Sequence, residues 1–545
     1  MFRIQKINLR ENKTIKTETC ERINLIVGSN NSGKTTFLND IFSELKILHA
    51  SPPDTKWTDG MKLTMENAGE TVSRVFPGLF ERDKFFNFDE ISGSLFILKD
   101  KNRNDMVPWN EDVFNLLKET KTKDFDFEIG HPPNQDQKLK SLFSFLVRTM
   151  VGYEECMDRL GLDFRTEIND ICREPENDFI FYLYKNPKVF QQIKQNVKDI
   201  YGLTIEFDNI PQGHKPIRNV YHKINKRLNN HYALSREWNA KSKPLNQVGH
   251  GIRAYLKLVF ALIHPTHQII FIDEPETFIH PPQRRALGQF IAKLADQQNK
   301  QLFVATHDSE FIRGVLFGSS SRKVKVIRLF QENRQYFSTA IDNLEISNLQ
   351  SSKSSNILNE RIINSLFYDK TVLCESENDR IIYEEASAKY HWSKFHNTNF
   401  IGFNGHHDTI KFFNKLKGLK IKLAVILDID YLRTGTFPET IDDIELEKRF
   451  KTIKDKLITL FPKNSDDYRD FKALGLKVFQ RKKFQSETSN IKELIKQFKS
   501  YGVYVAPAGE VEAWTGSKEL NAALDKIRTK NIKPLSDFLK EIVVS

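Results

Sequence analysis

Gly28-Ser29-Asn30-Asn31-Ser32-Gly33-Lys34-Thr35 fits the pattern G-x-x-x-x-G-K-[ST] at every constrained position. The apolar run Arg22-Ile23-Asn24-Leu25-Ile26-Val27 before it reads as a buried strand. The run from Thr35 to Phe42 after it opens an amphipathic helix. Strand, loop and helix in that order form the setting in which this pattern wraps phosphates. Glycine lets backbone N–H groups approach an anion closely, and the helix N-terminus adds positive partial charge. Lys34 is expected to reach the β- and γ-phosphates of ATP, and Thr35 to bind Mg²⁺. Gly28, Asn30, Asn31, Ser32, Gly33 and Thr36 complete the expected cradle.

The same grammar returns at residues 245–330. Gln268-Ile269-Ile270-Phe271-Ile272 reads as a buried strand ending at Asp273-Glu274, and a helix is expected from Pro282 to Gln297. Gln301 to Ala305 is the next strand and ends at Thr306-His307-Asp308. Strands alternating with helices imply a largely parallel sheet. An Asp-Glu pair after a strand, taken alone, is as readily a helix cap. With the phosphate loop upstream, Asp273 becomes the expected Mg²⁺ ligand and Glu274 the residue that orients or deprotonates water. His307, one strand on, is positioned as a γ-phosphate sensor.

A second α/β unit begins at Lys370-Thr371-Val372-Leu373-Cys374 and ends its first strand at Glu375. Leu423 to Leu427 is a later strand, followed by Asp428-Ile429-Asp430. Alternation along the extended strand end puts Asp428 and Asp430 on one side. Hard oxygen ligands suit Mg²⁺, and two such ions can stabilise the attacking and leaving oxygens of a phosphodiester. His406-His407-Asp408 has no matched partner and reads as surface.

The bulk properties agree. A chain of 545 residues is too long for one ordinary domain, and a net charge of +11 favours an anionic partner, nucleic acid first. Four scattered cysteines support neither a zinc site nor a disulfide framework. No apolar run is long enough for a membrane span. The expectation is a soluble cytoplasmic protein without a membrane partner. The expected division is residues 1–340, carrying a large helical or dimerisation insertion at 50–240, a serine-rich linker at 341–364, and residues 365–545 with a helical insertion at 433–500. Within the latter, Arg481-Lys482-Lys483 is a candidate for steering DNA phosphates.

These motifs carry a resemblance. Phe271 to Arg285 resembles the second nucleotide motif of ABC-type ATPases, and Val304 to Asp308 resembles their switch-histidine segment. Gln247-Val248-Gly249-His250-Gly251 stands where their signature motif stands, with Val248 replacing the usual serine. That motif completes the nucleotide site of an opposite subunit, so Gly249 and Gly251 imply a homodimer or higher even oligomer of ATP-bridged heads. Val372 to Arg380 with Leu427 to Asp430 resembles the Toprim fold, with Ser376 in place of its usual glycine. Its nuclease branch implies metal ligands at Glu375, Asp379, Asp428, Asp430, Glu510 and Glu512. It also implies a catalytic lysine, with Lys530 and Lys533 as candidates and Lys533 preferred.

An ABC-type ATPase followed by a Toprim domain is the architecture of the OLD (overcoming lysogenization defect) family. The resemblance implies an α/β fold: a P-loop ATPase head, then a Rossmann-like Toprim domain. It implies an ATP-regulated endonuclease acting on DNA with Mg²⁺ or Mn²⁺, as in Gabija-type and retron-associated anti-phage effectors. A defence-system partner such as a reverse transcriptase with its msDNA belongs to the same expectation. The competing readings are an ATPase sensor or scaffold, and a DNA-repair ATPase whose Toprim acids are degenerate.

Overall fold

A computed structural model describes residues 2–11, 14–29, 32–46, 58–66, 86–89, 94–97, 107–109, 125–129, 150–154, 183, 186–207, 217–220, 242–263, 267–319, 323–332, 335–341, 361–417, 421–510, 512–517 and 519–544. The chain divides into two compact units, Met1–Asn343 and Leu344–Ser545.

In the first unit the strands are β1 (Phe2–Glu11), β2 (Thr14–Thr19), β3 (Ile23–Gly28), β4 (Thr58–Met65), β5 (Phe86–Asp89), β6 (Ser94–Ile97), β7 (Val107–Trp109), β8 (Phe125–Ile129), β9 (Val151–Glu154), β10 (Thr204–Phe207), β11 (Ile217–Val220), β12 (Ser242–Pro244), β13 (Ile269–Asp273), β14 (Gln301–Ala305), β15 (Val324–Glu332) and β16 (Gln335–Ile341). The main sheet has the order β16-β15-β3-β14-β13-β9. Its strands run parallel from β15 to β9, with β16 as an antiparallel edge. β3 and β13 are buried along their whole length, as continuous apolar runs in a parallel sheet require. The helix Lys34–Lys46 buries Phe37, Leu38, Ile41 and Leu45, the helical spacing that lays one face on the sheet. Phe271 stacks on Phe303 with ring centroids 5.1 Å apart and meets Phe42 of that helix at 5.7 Å. Burying Phe271 and Phe303 contributes roughly 1.5–3 kcal/mol each, which holds the strands beside the phosphate loop.

Within 50–240 the described residues are mainly strands. β4 and β8 extend the antiparallel sheet β2-β1-β4-β8, and β9 closes the main sheet beside β13. Parts of the expected insertion are thus built into the head itself. The helix there is Pro187–Tyr201, and the helical stretch expected at Lys138–Met150 lies outside the described residues except for Met150.

The second unit has a parallel sheet of β17 (Lys370–Cys374), β18 (Thr398–Gly402), β19 (Lys422–Leu427) and β20 (Val503–Val505), in the order β18-β17-β19-β20. The order reverses between β17 and β19, and in open parallel sheets that switch point opens a crevice at the strand C-termini. Between β19 and β20 lie the helices Ile444–Leu460, Asp466–Leu474 and Thr488–Lys499. They are locked by phenylalanines. Phe461 packs on Phe471 and Phe484 at 4.6 and 4.7 Å, and Phe450 on Phe498 at 5.7 Å. Residues 342–360 of the expected linker lie outside the described residues.

Candidate functional sites

At the nucleotide motif, Thr35 Oγ donates to Asp273 Oδ2 at 3.0 Å. The two expected Mg²⁺ ligands, far apart in sequence, are therefore adjacent. β3 and β13 each adjoin β14, and their C-terminal ends face the same way. Lys34 is buried and its Nζ donates to the carbonyls of Gly28 and Ser29, both at 3.1 Å. Burial holds its pKa below the usual lysine value, while Glu274, Glu276 and Asp273 oppose that shift. Ser32 Oγ is buried without a hydrogen-bond partner. A buried orphan hydroxyl and an ammonium folded onto its own loop fit a site built for phosphates. Asn30 and Asn31 lie outside the described residues, whereas Gly33 and Thr36 flank the start of the helix.

Glu274 and Phe278 are non-glycine residues with left-handed backbones, at φ of 48° and 67°. Each such residue costs about 1–3 kcal/mol, and such strain collects at functional sites. The bonds Glu274 N to Ala305 O at 2.9 Å and Ile279 N to Glu276 O at 3.0 Å hold the loop. The result turns two carboxylates toward His307, whose Nδ1 is 3.2 Å from Glu274 Oε1 and 3.2 Å from Glu276 Oε1. The Glu274 contact raises the His307 pKa; burial and Lys34 work against that, and the charges of Glu276 and Glu274 add to it. Reciprocally, the bond to His307 lowers Glu274. Glu276 was not singled out from the sequence. Its visible signal is an acid two residues after the expected water-orienting Glu274. Gly249 is exposed before the helix His250–Ile263, and the carbonyl of Gly251 in its first turn accepts from Tyr201 Oη at 3.2 Å.

In the second unit the register Cys374 to Ile426 sets Glu375 beside the end of β19. The Asp428 backbone N–H donates to Glu375 Oε1 at 2.8 Å. Glu375, Asp428 and Asp430 can bring one oxygen each within 4.8 Å of one another, a ligand set for a divalent ion. Burial pushes Glu375 up to about 8, with the charges of Asp430 and Asp379 adding to the effect. Burial also raises Asp428 well above the carboxylate range, followed by the charge of Glu375. Like charges crowded into a buried pocket retain protons until a cation joins them.

Asp428 and Asp430 do not share one side of an extended strand end. β19 ends at Leu427, and Asp430 has helical dihedrals, φ −69° and ψ −14°. The Tyr431 N to Asp428 O bond, 3.1 Å, makes a turn that brings the acids together while Ile429 is fully buried. Asp379 is also used differently. Its Oδ2 accepts from Ser376 N at 2.9 Å, and its N–H donates to Ser376 Oγ at 3.1 Å, a reciprocal capping box on the helix Glu377–Tyr390. It lends negative charge to the pocket from outside the three-acid group.

Among the described residues, the lysine ion-paired at the acids is Lys472 rather than the expected Lys533. Lys472 Nζ lies 3.1 Å from Glu510 Oε1 and 4.0 Å from Asp430 Oδ2. One turn earlier on the helix Asp466–Leu474, Tyr468 Oη reaches Asp430 Oδ2 at 3.5 Å. Burial acts to lower the Lys472 pKa, but the bond to Glu510 and the charge of Asp430 outweigh it and leave it raised. Close backbone packing delivers this lysine: Glu510 N donates to Lys472 O at 2.9 Å. A Cβ on Gly509 would stand 2.3 Å from that carbonyl, and one on Gly475 2.4 Å from Gly509 N, so both positions require glycine. Lys533 is exposed at the start of the helix Lys533–Val543, and among the described residues no ion pair joins it to the acids. Lys530 uses its carbonyl to accept from Tyr390 Oη at 3.0 Å. Glu512 opens the short helix Glu512–Thr515, and its side chain lies outside the described residues.

Residues 23–313 match the model of an AAA domain described for the AbiEii toxin of the Type IV TA system, more than half of the chain. Residues 366–430 match the Toprim domain of overcoming lysogenization defect protein-like sequences. The chain belongs to the family of that AAA domain. Its head is an AAA-type ATPase domain and its second unit carries an OLD-like Toprim domain. The Old nuclease of Escherichia phage P2 is 21% identical over 308 residues, 52% of this chain and 51% of that protein. The chain thus spans about half the length of the curated relative it matches. Among solved structures, an Smc head domain from Pyrococcus furiosus bound to the ScpA C-terminal domain gives a TM-score of 0.34 at 10% identity, covering 64% of this chain and 99% of that one. The SMC head domain from Thermotoga maritima gives 0.30 at 10% identity, over 62% and 99%. Among the described residues no helix is long and apolar enough to cross a membrane.

Two residues of the basic run are engaged in ion pairs. Arg481 pairs with Asp470 at 2.6 Å and Lys483 with Asp467 at 2.6 Å, both on the helix that carries Lys472. Neutralising Arg481, Lys482 and Lys483 together is therefore expected to change DNA affinity by less than about threefold in a filter-binding titration, since paired charges release few counterions.

Proposed function

We propose that this chain is an OLD-family, ATP-regulated, divalent-metal-dependent endonuclease that cleaves DNA. The observation that carries this reading is the convergence of Glu375, Asp428 and Asp430 at the β17/β19 switch point, with Lys472 set against them. Bound Mg²⁺ or Mn²⁺ supplies charge neutralisation and an activated water for phosphodiester hydrolysis. Glu375, Asp428 and Asp430 would hold it, and Glu510 stands close enough to contribute through Lys472. Lys472 places a fixed positive charge where the substrate phosphate develops negative charge. Tyr468 orients Asp430.

In the head, Lys34 and the loop hydroxyls bind the phosphates, Thr35 and Asp273 hold Mg²⁺, Glu274 orients the attacking water and His307 meets the γ-phosphate. Gly249 and Gly251 would present this chain's signature-position helix to a second copy, giving an even oligomer of heads. The family resemblance carries the biological setting, bacterial defence against phage.

The test incubates the purified chain with supercoiled DNA, linear DNA and RNA, in Mg²⁺ or Mn²⁺, with and without ATP. Cleavage of DNA that requires metal and responds to ATP is expected. ATP turnover without cleavage under every condition would instead favour the sensor or scaffold reading. In the same assay Lys472→Ala is expected to lower the cleavage rate by on the order of 10²-fold, the loss typical of one preorganised electrostatic contact. Lys533→Ala is expected to stay near the parent rate. The reverse ranking would return the catalytic lysine to Lys533.

A further inference from the structure

One carboxylate beside the nucleotide motif has no part in the reading above. Glu276 is only 2% exposed. Its Oε1 accepts from Thr306 Oγ at 2.9 Å and from the His307 backbone N–H at 3.0 Å, and lies 3.2 Å from His307 Nδ1. Its Oε2 is buried without a hydrogen-bond partner. A carboxylate oxygen left in that state costs about 1–3 kcal/mol or more, so the fold retains this acid at a penalty.

The imidazole explains why. Nδ1 faces two carboxylates, Glu274 and Glu276, each at 3.2 Å. Two carboxylates at Nδ1 favour a proton on that nitrogen, although burial raises the Glu276 carboxyl, and they leave Nε2 on the opposite edge of the ring. Glu274 is an incomplete anchor. It is about a third exposed, lies on the strained loop, also accepts from Thr277 Oγ at 3.3 Å, and must orient water. Glu276 has none of these other demands and grips both the ring and the backbone of His307.

We propose that Glu276 is a positioning residue that fixes the ring orientation of His307 and, with Glu274, holds the ring doubly protonated, so that Nδ1–H faces the carboxylates and Nε2–H is presented to the γ-phosphate. This inference rests on the nucleotide-site reading. The charged groups facing the ring are Glu274 and Glu276, which favour imidazolium, and Lys34, which opposes it.

The test follows carbethoxylation of His307 by diethyl pyrocarbonate, read by peptide mass spectrometry on the full chain without nucleotide, from pH 5 to 8. The reagent attacks neutral imidazole. In Glu276→Gln the His307 rate at pH 6 is expected to rise roughly fivefold, because loss of the carboxylate charge frees the proton. ATP turnover number is expected to fall more than tenfold with little change in KM or melting temperature. Thr306→Val, which removes the hydroxyl that steadies Glu276, is expected to move His307 reactivity the same way by a smaller factor, and serves if Glu276→Gln fails to fold. An unchanged pH profile in a folded variant would overturn the proposal and leave Glu276 a structural acid. A shifted profile in a protein that binds no ATP would keep the positioning role and defeat the nucleotide reading instead.

Discussion

Asp428→Ala is expected to abolish the proposed metal-dependent cleavage of DNA while the protein stays folded. The rate is expected to fall by on the order of 10³-fold or more, about 4 kcal/mol of barrier, because the variant removes a ligand from the three-acid group. Its melting temperature in chelator is expected to hold or rise. Asp428 is a crowded, buried carboxylate whose charged form is held off by burial and by Glu375, so deleting it relieves repulsion. A gel assay beside thermal unfolding separates the outcomes. Retained cleavage would show that the pocket is not the reactive centre.

The same pocket fixes a pH dependence. Glu375 has its folded-state pKa raised from 4.5 to about 8. The folded protein therefore binds more protons than the unfolded chain between those values. The stability this group contributes is full below about pH 4.5 and is lost as pH rises through 8. A divalent ion competes with that proton, so Mg²⁺ or Mn²⁺ affinity is expected to increase between pH 7 and 9, with proton release on binding. Calorimetry in two buffers of different ionisation enthalpy measures it. Affinity that does not vary with pH would mean that Glu375 is already ionised.

The second large effect is at the head. Glu274→Gln is expected to lower ATP hydrolysis about 10²–10⁴-fold, the range for loss of a general base, while ATP still binds. The amide keeps the shape of the side chain and can still accept from Thr277, but it cannot take a proton from water. Trapped nucleotide should accumulate on the variant, and size-exclusion chromatography with ATP should show a larger species if heads close on one another. Undiminished hydrolysis would remove Glu274 from its role. Comparing DNA cleavage by this variant with and without ATP then tells whether the bound or the hydrolysed state governs the nuclease.

The phosphate loop is legible because it is local. A phosphate loop needs a strand, glycines, a lysine and a hydroxyl within one short span, and all are contiguous from Ile23 to Thr35. Glu375 and Asp428 were legible because parallel strands release their next residues on one edge of the sheet, so strand ends alone imply proximity. The turn at Asp430 was not, because a buried Ile429 and a bond from Tyr431 N override strand alternation. Asp379 read as a ligand, yet three residues after Ser376 at a helix start it satisfies backbone donors first.

What the sequence determined by itself is therefore the chemistry on offer: a phosphate-binding loop with its acid pair and histidine, and strand-end acids suited to a divalent cation. What only the tertiary structure decided is which distant side chains join them. Tyr468 meets Asp430 across 38 residues of chain. Lys472 reaches Asp430 and Glu510 because an aromatic core holds its helix and two glycines allow the backbones to touch. Glu276 meets His307 because a left-handed loop faces the neighbouring strand end. Such pairs depend on packing summed over many residues, and no local spacing encodes them.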